Sequence, residues 1–411
     1  MTNLPQGWKW KSLGEICFIT DGTHKTPNYI ETGIPFLSVK NISKGFFDLS
    51  DVKYISLEEH NKLIKRAKPE FGDILICRIG TLGKAIKISL EFEFSIFVSL
   101  GLLKPKVKII SDYLVYFLNS CFIEEWINDN KVGGGTHTAK LNLNILEKCP
   151  IALPPLKEQE RIVGILDENF AKIDENIKIL EQDLLNLDEL MQSALQKAFN
   201  PLKDNAKENY KLPQGWKWKS LGEIANTSSG GTPSRNKKEY WENGNIKWLK
   251  SGELNDGYID FIEENITEEA IKNSSAKIFQ KGTLLIAMYG ATAGKLGILN
   301  LDSTTNQAIC AFLHKDKNIK FLEKFLFYFL FFLRDKIIKD SFGGAQPNIN
   351  QTYIKNLQIP LPPIKEQEQI ASHLDELSSH VKNLKQNYQA QIKDLQELKN
   401  SLLDKAFKGN L

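Results

Sequence analysis

Cysteine is scarce in this chain and falls into no pattern. Cys17, Cys77, Cys121, Cys149 and Cys310 are odd in number, scattered, and never spaced CxxC. That excludes a disulfide framework and a zinc ribbon, and a cytoplasmic location is expected. Histidine is nearly as rare, with six residues and no HExxH, so no metal site is expected. Arginine is rarer still: five residues against 48 lysines. Long apolar runs are missing. The longest, Phe325 to Leu333, is about half the ~20 residues a membrane span needs. The opening residues lack the apolar h-region of a signal peptide, and no membrane association is expected. At 42% hydrophobic and 25% charged residues the composition is that of a soluble globular chain. With 411 residues, at roughly 150 per domain, two to three domains are expected.

Catalytic motifs are lacking as well. Gly80-Thr81-Leu82-Gly83-Lys84 and Gly290-Ala291-Thr292-Ala293-Gly294-Lys295 look like fragments of a phosphate loop. That loop needs four residues between its glycines and Ser or Thr after the lysine, and here Ala85 and Leu296 follow. No GxSxG occurs, no GxGxxG follows a strand and opens a helix, and no carboxylate cluster recurs outside the helices.

What the chain does contain is itself, twice. Leu4 to Ile16 and Leu212 to Ile224 both read LPQGWKWKSLGEI. Leu153 to Ile162 (LPPLKEQERI) returns as Leu361 to Ile370 (LPPIKEQEQI), and Lys197-Ala198-Phe199 returns as Lys405-Ala406-Phe407. Each repeat lies at a shift of 208, so the chain is two tandem copies. Residues 17–150 and 225–358 share little beyond scattered glycines. Phe71 to Lys84 and Lys281 to Lys295 each predict an apolar strand running into a Gly-rich turn. Identical frames around different interiors suggest one architecture aimed at two different ligands or sequences.

After each double proline the spacing predicts a long helix, over 157–199 and 365–411. Ile173, Ile177, Leu180, Leu184, Leu187, Met191, Ala194 and Ala198 alternate at intervals of four and three, a heptad seam. The second copy gives Leu377, Val381, Leu384 and Tyr388, then Leu395, Leu398 and Leu402, with Gln391 at a seam place and Ile392 beside it. Each helix would be about 65 Å long. The helices either pack singly on their own domains or, as seams of this length favour, pair with each other. If the pair is antiparallel, the second helix returns the chain toward the first domain, and the repeat gives an approximate two-fold axis. Glu158, Glu160, Glu366 and Glu368 sit where the helix dipole favours acids. Trp8, Trp10, Trp216 and Trp218, identical between copies, either pack each domain onto its helix or form a docking site used twice.

Charge is distributed unevenly. Residues 1–156 carry 19 basic and 16 acidic side chains, and residues 200–364 carry 22 and 17. The helix 157–199 carries 5 and 10. Cationic lobes favour a polyanion, while an acidic spacer favours contact with protein. The lobes also offer Gly-, Thr- and Lys-bearing loops of the kind that contact phosphates and base edges. In the first copy these supply Thr23, His24 and Lys25, then Arg78, Thr81 and Lys84, then Thr136, His137 and Lys140. In the second they supply Thr232, Ser234, Arg235 and Lys237, then Tyr289, Thr292 and Lys295, then Gln346 and Asn348. With five arginines in the chain, Arg-to-guanine forks cannot dominate.

The LPxGWxWxxLGEI openings, TSSGGTPSR…YWENGNIKWLKSGEL (227–254), GGAQPNINQTYIKNLQIPLPPIKEQ (343–367) and LPPLKEQERIVGILDE carry a resemblance that spans the chain. It resembles the specificity subunit of type I restriction–modification enzymes. The resemblance implies an α+β chain: two tandem α/β target-recognition domains joined by two long helices in an antiparallel coiled coil. The divisions would be 1–156 and 212–364 for the domains, 157–199 and 365–411 for the spacer helices, and 200–211 for a linker. It further implies a non-catalytic subunit that reads a bipartite target on double-stranded DNA. Two methyltransferase subunits would dock on it and restriction subunits would join them. S-adenosylmethionine and ATP would bind those partners, with no cofactor in this chain. Copy one departs from the pattern, with TDGTHKTPN (20–28) and THTAKLN (136–142) in place of the SSGGTPSR and AQPNIN of copy two. A coiled-coil adaptor without DNA readout would explain the helices and the duplication, but not why only the interiors diverge. An enzyme with an unrecognised site would call for duplicated catalytic residues.

Overall fold

The computed structural model describes residues 4–134, 139–199, 212–315, 320–341, 348–409 and 411. Two compact units emerge, Met1–Glu181 with Gln389–Leu411, and Gln182–Tyr388.

The thirteen identical residues close each unit. In the first, Gly7 at φ +86° turns the chain into the strand Lys9–Ser12. That strand pairs antiparallel with Pro150–Leu153, directly before the double proline, so the start of the unit lies on its end. Ser12 then opens the short helix Leu13–Ile16, and Glu15 reaches back to accept the Ser12 N–H at 2.6 Å. The second unit repeats each step, with Lys217–Ser220 on Gln358–Leu361 and Glu223 on the Ser220 N–H at 2.7 Å.

The divergent interiors share a topology despite their sequences. In the first unit an antiparallel sheet runs Cys17–Asp21, Leu100–Pro105, Ile74–Cys77, Ala85–Lys87. A second sheet runs Lys53–Ile55, Ile34–Leu37, Ser95–Ile96. In the second unit the order is Ala225–Ser229, Ile309–His314, Leu284–Ala287, Leu296–Leu299, with Gly257–Ile259 added in parallel at the edge. Its smaller sheet runs Asn265–Ile266, Ile246–Leu249, Ser303–Thr305, Ile278–Phe279. Ile74–Cys77 and Leu284–Ala287 are fully buried, as apolar runs at the centre of a sheet must be. Each runs into the expected Gly-rich turn, where Gly80, Gly83, Gly290 and Gly294 have φ near +80°. Strands follow these turns, not helices, so they are hairpins and not phosphate loops.

The Phe325–Leu333 run lies in the helix Glu323–Lys339 and fills the second unit's core. Among the described residues no helix is long and apolar enough to cross a membrane.

The long helices span Leu156–Phe199 and Ile364–Phe407. Their shared KEQE openings hold a feature that the charge pattern does not reveal. Gln159 and Gln367 are 1% exposed. Gln159 accepts the Ile110 N–H at 2.9 Å and donates to the Pro154 carbonyl at 2.9 Å. Gln367 does the same with Leu322 at 2.8 Å and Pro362 at 2.9 Å. Ile110 and Leu322 are the N-caps of the helices Ser111–Leu118 and Glu323–Lys339. Each glutamine therefore bolts an interior helix to a long one by satisfying an orphan N–H. Of the acids beside them, Glu158 pairs with Arg161 at 2.8 Å, and Glu366 accepts the Trp216 indole N–H at 2.6 Å. Replacing Gln159 or Gln367 by alanine leaves a buried donor and acceptor unmet. The expected loss is about 1–3 kcal/mol, read from the urea midpoint.

The long helices run antiparallel. In the first unit Arg161 reaches the Leu411 carbonyl at 3.3 Å, and Asp174 pairs with Lys399. In the second Asp188 pairs with Lys385. Ile173 and Leu187 are buried as the seam requires. On the second helix Val381 is buried and Tyr388, Leu395 and Leu402 are partly buried as the seam requires, but the places between them fail. Leu384 and Leu398 are 39% and 45% exposed, and Gln391 is exposed too. Lys385, Ile392 and Lys399, each one residue later, are the partly buried ones. The two lysines lay their stems along the partner helix and carry their amines out to Asp188 and Asp174. A pattern that counts only apolar residues misses such positions.

Each helix ends in the repeated Lys-Ala-Phe. Phe199 packs among Phe325, Phe329 and Phe332, with ring centroids 5.3–5.9 Å away. Phe407 packs on Tyr113 and Phe117 at 5.7 and 4.9 Å. The last turn of each long helix is thus core to a unit. Of the repeated tryptophans, Trp8 is buried, Trp10 packs on Phe122 at 5.6 Å, and Trp218 is half-exposed.

Candidate nucleic-acid interface

The loops singled out in the sequence converge within each unit. In the first, the chain leaves Cys17–Asp21 through Gly22, where a Cβ would lie 2.0 Å from the Ile96 carbonyl oxygen. Only glycine allows that approach. The Thr23 N–H then donates to Ile96 at 3.1 Å, and the Val98 N–H returns a bond to Thr23 at 3.0 Å. The next residue, Ser99, accepts the Arg78 N–H at 2.8 Å. The Arg78 carbonyl takes the Leu141 N–H at 2.9 Å, and Lys140 bridges both Ile79 and Val132. Three segments far apart in sequence are stitched together through one strand end.

The second unit repeats the stitching with other residues. A Cβ on Gly230 would lie 2.0 Å from the Thr305 carbonyl oxygen. The Gly231 N–H donates to Thr305 at 2.9 Å, and the Thr232 hydroxyl donates to Gln307. Met288 donates to the Ala308 carbonyl at 2.7 Å and accepts the Ile349 N–H at 2.7 Å, while Tyr289 bridges Asn348.

His24, Lys25, Thr81, Lys140, Thr232, Ser234, Arg235, Lys237, Lys295 and Asn348 are exposed. Thr23, Lys84, Tyr289 and Thr292 are half-buried. Arg78 is 8% exposed. Thr136, His137 and Gln346 lie outside the described residues.

In each unit a carboxylate anchors the first loop. Asp21, 1% exposed, pairs with Arg66 and Arg78 and meets the His24 ring at 3.1 Å. Burial alone would push its carboxyl up. The hydrogen bonds and charges of Arg66 and Arg78 outweigh this and hold it below the usual carboxylate range. Arg78 also donates to the Leu141 carbonyl at 2.9 Å, so its guanidinium joins the first and third segments.

In the second unit Glu264 pairs with Lys250 at 2.6 Å and Arg235 at 2.7 Å. Its burial raises the carboxyl, but the two cations bring it below its ordinary value. The Arg235 guanidinium lies 3.6 Å from the Trp241 ring centroid and 4.7 Å from that of Trp248. The indoles are fixed in turn: Trp241 donates to the Ser234 carbonyl at 3.1 Å and Trp248 to that of Gly231 at 3.0 Å. Arg334 ties the hairpin through the Gly294 carbonyl at 2.9 Å and through Asp256.

Sequence reading missed Asp21, Arg66, Trp241, Trp248, Glu264 and Arg334. The YWENGNIKW stretch held the two indoles in plain view. Nothing in the sequence tied Arg66 to a loop 45 residues away.

Burial pushes the thiols of Cys17, Cys77, Cys149 and Cys310 up to about 12, which keeps them protonated and inert. Among the described residues no group of three His, Cys, Asp or Glu is placed to hold a metal.

Two similar units, each presenting its own set of loops, match a known family. The type I restriction modification DNA specificity domain matches residues 5–183 and again 213–394. The chain belongs to that family. As a type I specificity subunit it is the DNA-recognition component of a restriction–modification system, with one specificity domain in each copy of the repeat. Among curated relatives, the StySPI specificity subunit of Salmonella potsdam is 27% identical over 99% of this chain and 90% of its own. The EcoKI specificity subunit of Escherichia coli is 26% identical over the same shares. A chain solved in a study of assembly and conformational transition of the type I R-M system covers all of this one, at TM-score 0.80 and 24% identity. The HsdS subunit from Thermoanaerobacter tengcongensis gives TM-score 0.59 at 23% identity. These two structures share the fold of this specificity subunit.

Proposed function

We propose that the chain is a non-catalytic subunit whose two units each read one half of a split double-stranded DNA target, the antiparallel helices setting the gap between the halves. The observation that carries this reading is the stitching itself: the same hydrogen-bonded scaffold presents different residues in each unit. Exposed Lys25, Lys140, Lys237 and Lys295, with half-buried Lys84, neutralise phosphates. Thr23, His24, Thr81, Thr136 and His137 meet the DNA in the first half-site. Thr232, Ser234, Tyr289, Thr292, Gln346 and Asn348 do so in the second. Buried Arg78 shapes its loop from behind. Two methyltransferase subunits dock on the duplicated frame and restriction subunits join them. S-adenosylmethionine and ATP are bound by these partners, and the assembly works in the cytoplasm.

Grafting tests this reading. Residues 225–358 placed where 17–150 stand give a chain with two identical interiors in identical frames. In complex with the modification subunit it is expected to methylate a target of two identical, inverted half-sites. Methylation of the parental target by the graft would overturn the assignment of one half-site to each unit.

A further inference from the structure

We infer that Arg66 and Arg235 are the specificity-determining arginines, each reading one guanine, Arg66 in the first half-site and Arg235 in the second. The inference rests on the DNA-readout reading above and narrows it to two side chains.

The argument is one of elimination and then of geometry. The chain has five arginines. Arg161 lies on a long helix, paired with Glu158. Arg78 and Arg334, with side chains 10% and 20% exposed, spend their donors on backbone carbonyls and on Asp21 and Asp256. Arg66 and Arg235 differ. Their side chains are 54% and 51% exposed, yet both are held rigidly.

Arg66 places Nε and Nη2 on the buried Asp21. Because a guanidinium is planar, this fork turns the opposite edge, with Nη1, away from the carboxylate. Asp21 also holds His24, so Arg66 belongs to the same loop cluster as Thr23, His24 and Lys25. Arg235 reaches the equivalent state by other means. Two indoles fix the plane of its guanidinium, and Glu264 holds one nitrogen. It lies on the loop that also carries Thr232, Ser234 and Lys237.

A rigid, partly exposed guanidinium fork is what bidentate recognition of guanine O6 and N7 requires. Pre-ordering the side chain removes the entropy cost that a free surface arginine would pay on contact. The two arginines occupy unrelated sequence positions, as expected if each unit acquired its reader independently.

The test uses the full chain in complex with its modification subunit, presented with a pool of randomised duplex DNA. Arg235→Lys and Arg235→Gln are expected to relax one guanine position in one half-site by roughly 10–100-fold. Arg66→Lys is expected to do the same in the other half-site. The remaining positions and the gap should stay as in the wild type. Arg334→Lys is the control, since a purely structural arginine lowers binding evenly across all positions. An unchanged preference, or an even loss, in the Arg66 and Arg235 variants overturns the inference while leaving DNA readout intact. A wild-type complex that selects no split target overturns both. The lysine variants keep the charge beside Asp21 and Glu264, so a folded protein remains to be measured.

Discussion

Truncating Phe407 to alanine is expected to cost the first unit about 3–5 kcal/mol, although the residue lies four positions from the end of the chain. The ring is 9% exposed and packs edge-on against Phe117 and Tyr113, inside a core that also holds Leu403 and Ala406. Removing it loses the transfer energy of a phenyl group and leaves a cavity that the surrounding core fills only in part. Phe199→Ala should cost the second unit a similar amount, since Phe199 is 4% exposed among three phenylalanines of the helix Glu323–Lys339. Thermal unfolding of the full-length variants checks both. A change below about 1 kcal/mol, the level typical of surface substitutions, would contradict the placement of these rings.

Asp21→Ala is expected to be as damaging, by electrostatics. Arg78 would be left with its charge nearly buried and its counter-ion gone, at a cost of about 3–5 kcal/mol. Acid should mimic the substitution. The folded carboxyl titrates below its ordinary value of 3.8, so the stabilisation it supplies is complete above that pH. It is lost as the pH falls through the lowered folded value. Asp21→Asn removes the titrating group, so the variant should start less stable and lose less than the wild type below about pH 4. Urea midpoints taken from pH 7 downward measure the difference. Parallel profiles for the two proteins would show that the cluster contributes nothing.

Local and repeated features of the fold were legible in the sequence. The opening LPQGWKWKSLGEI marked a duplication, and the double prolines marked both long helices. The apolar runs ending in glycine marked the central strands and the turns that follow them. These signals depend on neighbours within a few residues, where spacing and turn chemistry act directly. The rest depends on contacts that spacing does not encode. Gln159 looked like one more polar residue in a charged helix, and only the packing shows it bonded to Ile110 and Pro154. Leu384 and Leu398 were assigned to the seam because they are apolar. The partly buried places belong to Lys385 and Lys399, whose long stems pack as well as a leucine.

The candidate interface divides the same way. Its loops were visible from their glycines, threonines and lysines, and the structure stitches them together. The groups that fix them were not visible. Arg66 follows the helix Leu57–Leu63 and meets Asp21 only through the tertiary fold. Arg78 looked like a free cation in a Gly-rich turn, but it is spent on a buried carboxylate and a carbonyl. Charge and composition say that a side chain can reach DNA, not whether the fold has already used it.

The most direct test of the central claim is a map of methylated bases across genomic DNA from cells expressing this chain with its modification subunit. The account predicts one split motif, two unlike half-sites with a gap of fixed length. A continuous motif, or methylation without sequence preference, would contradict it.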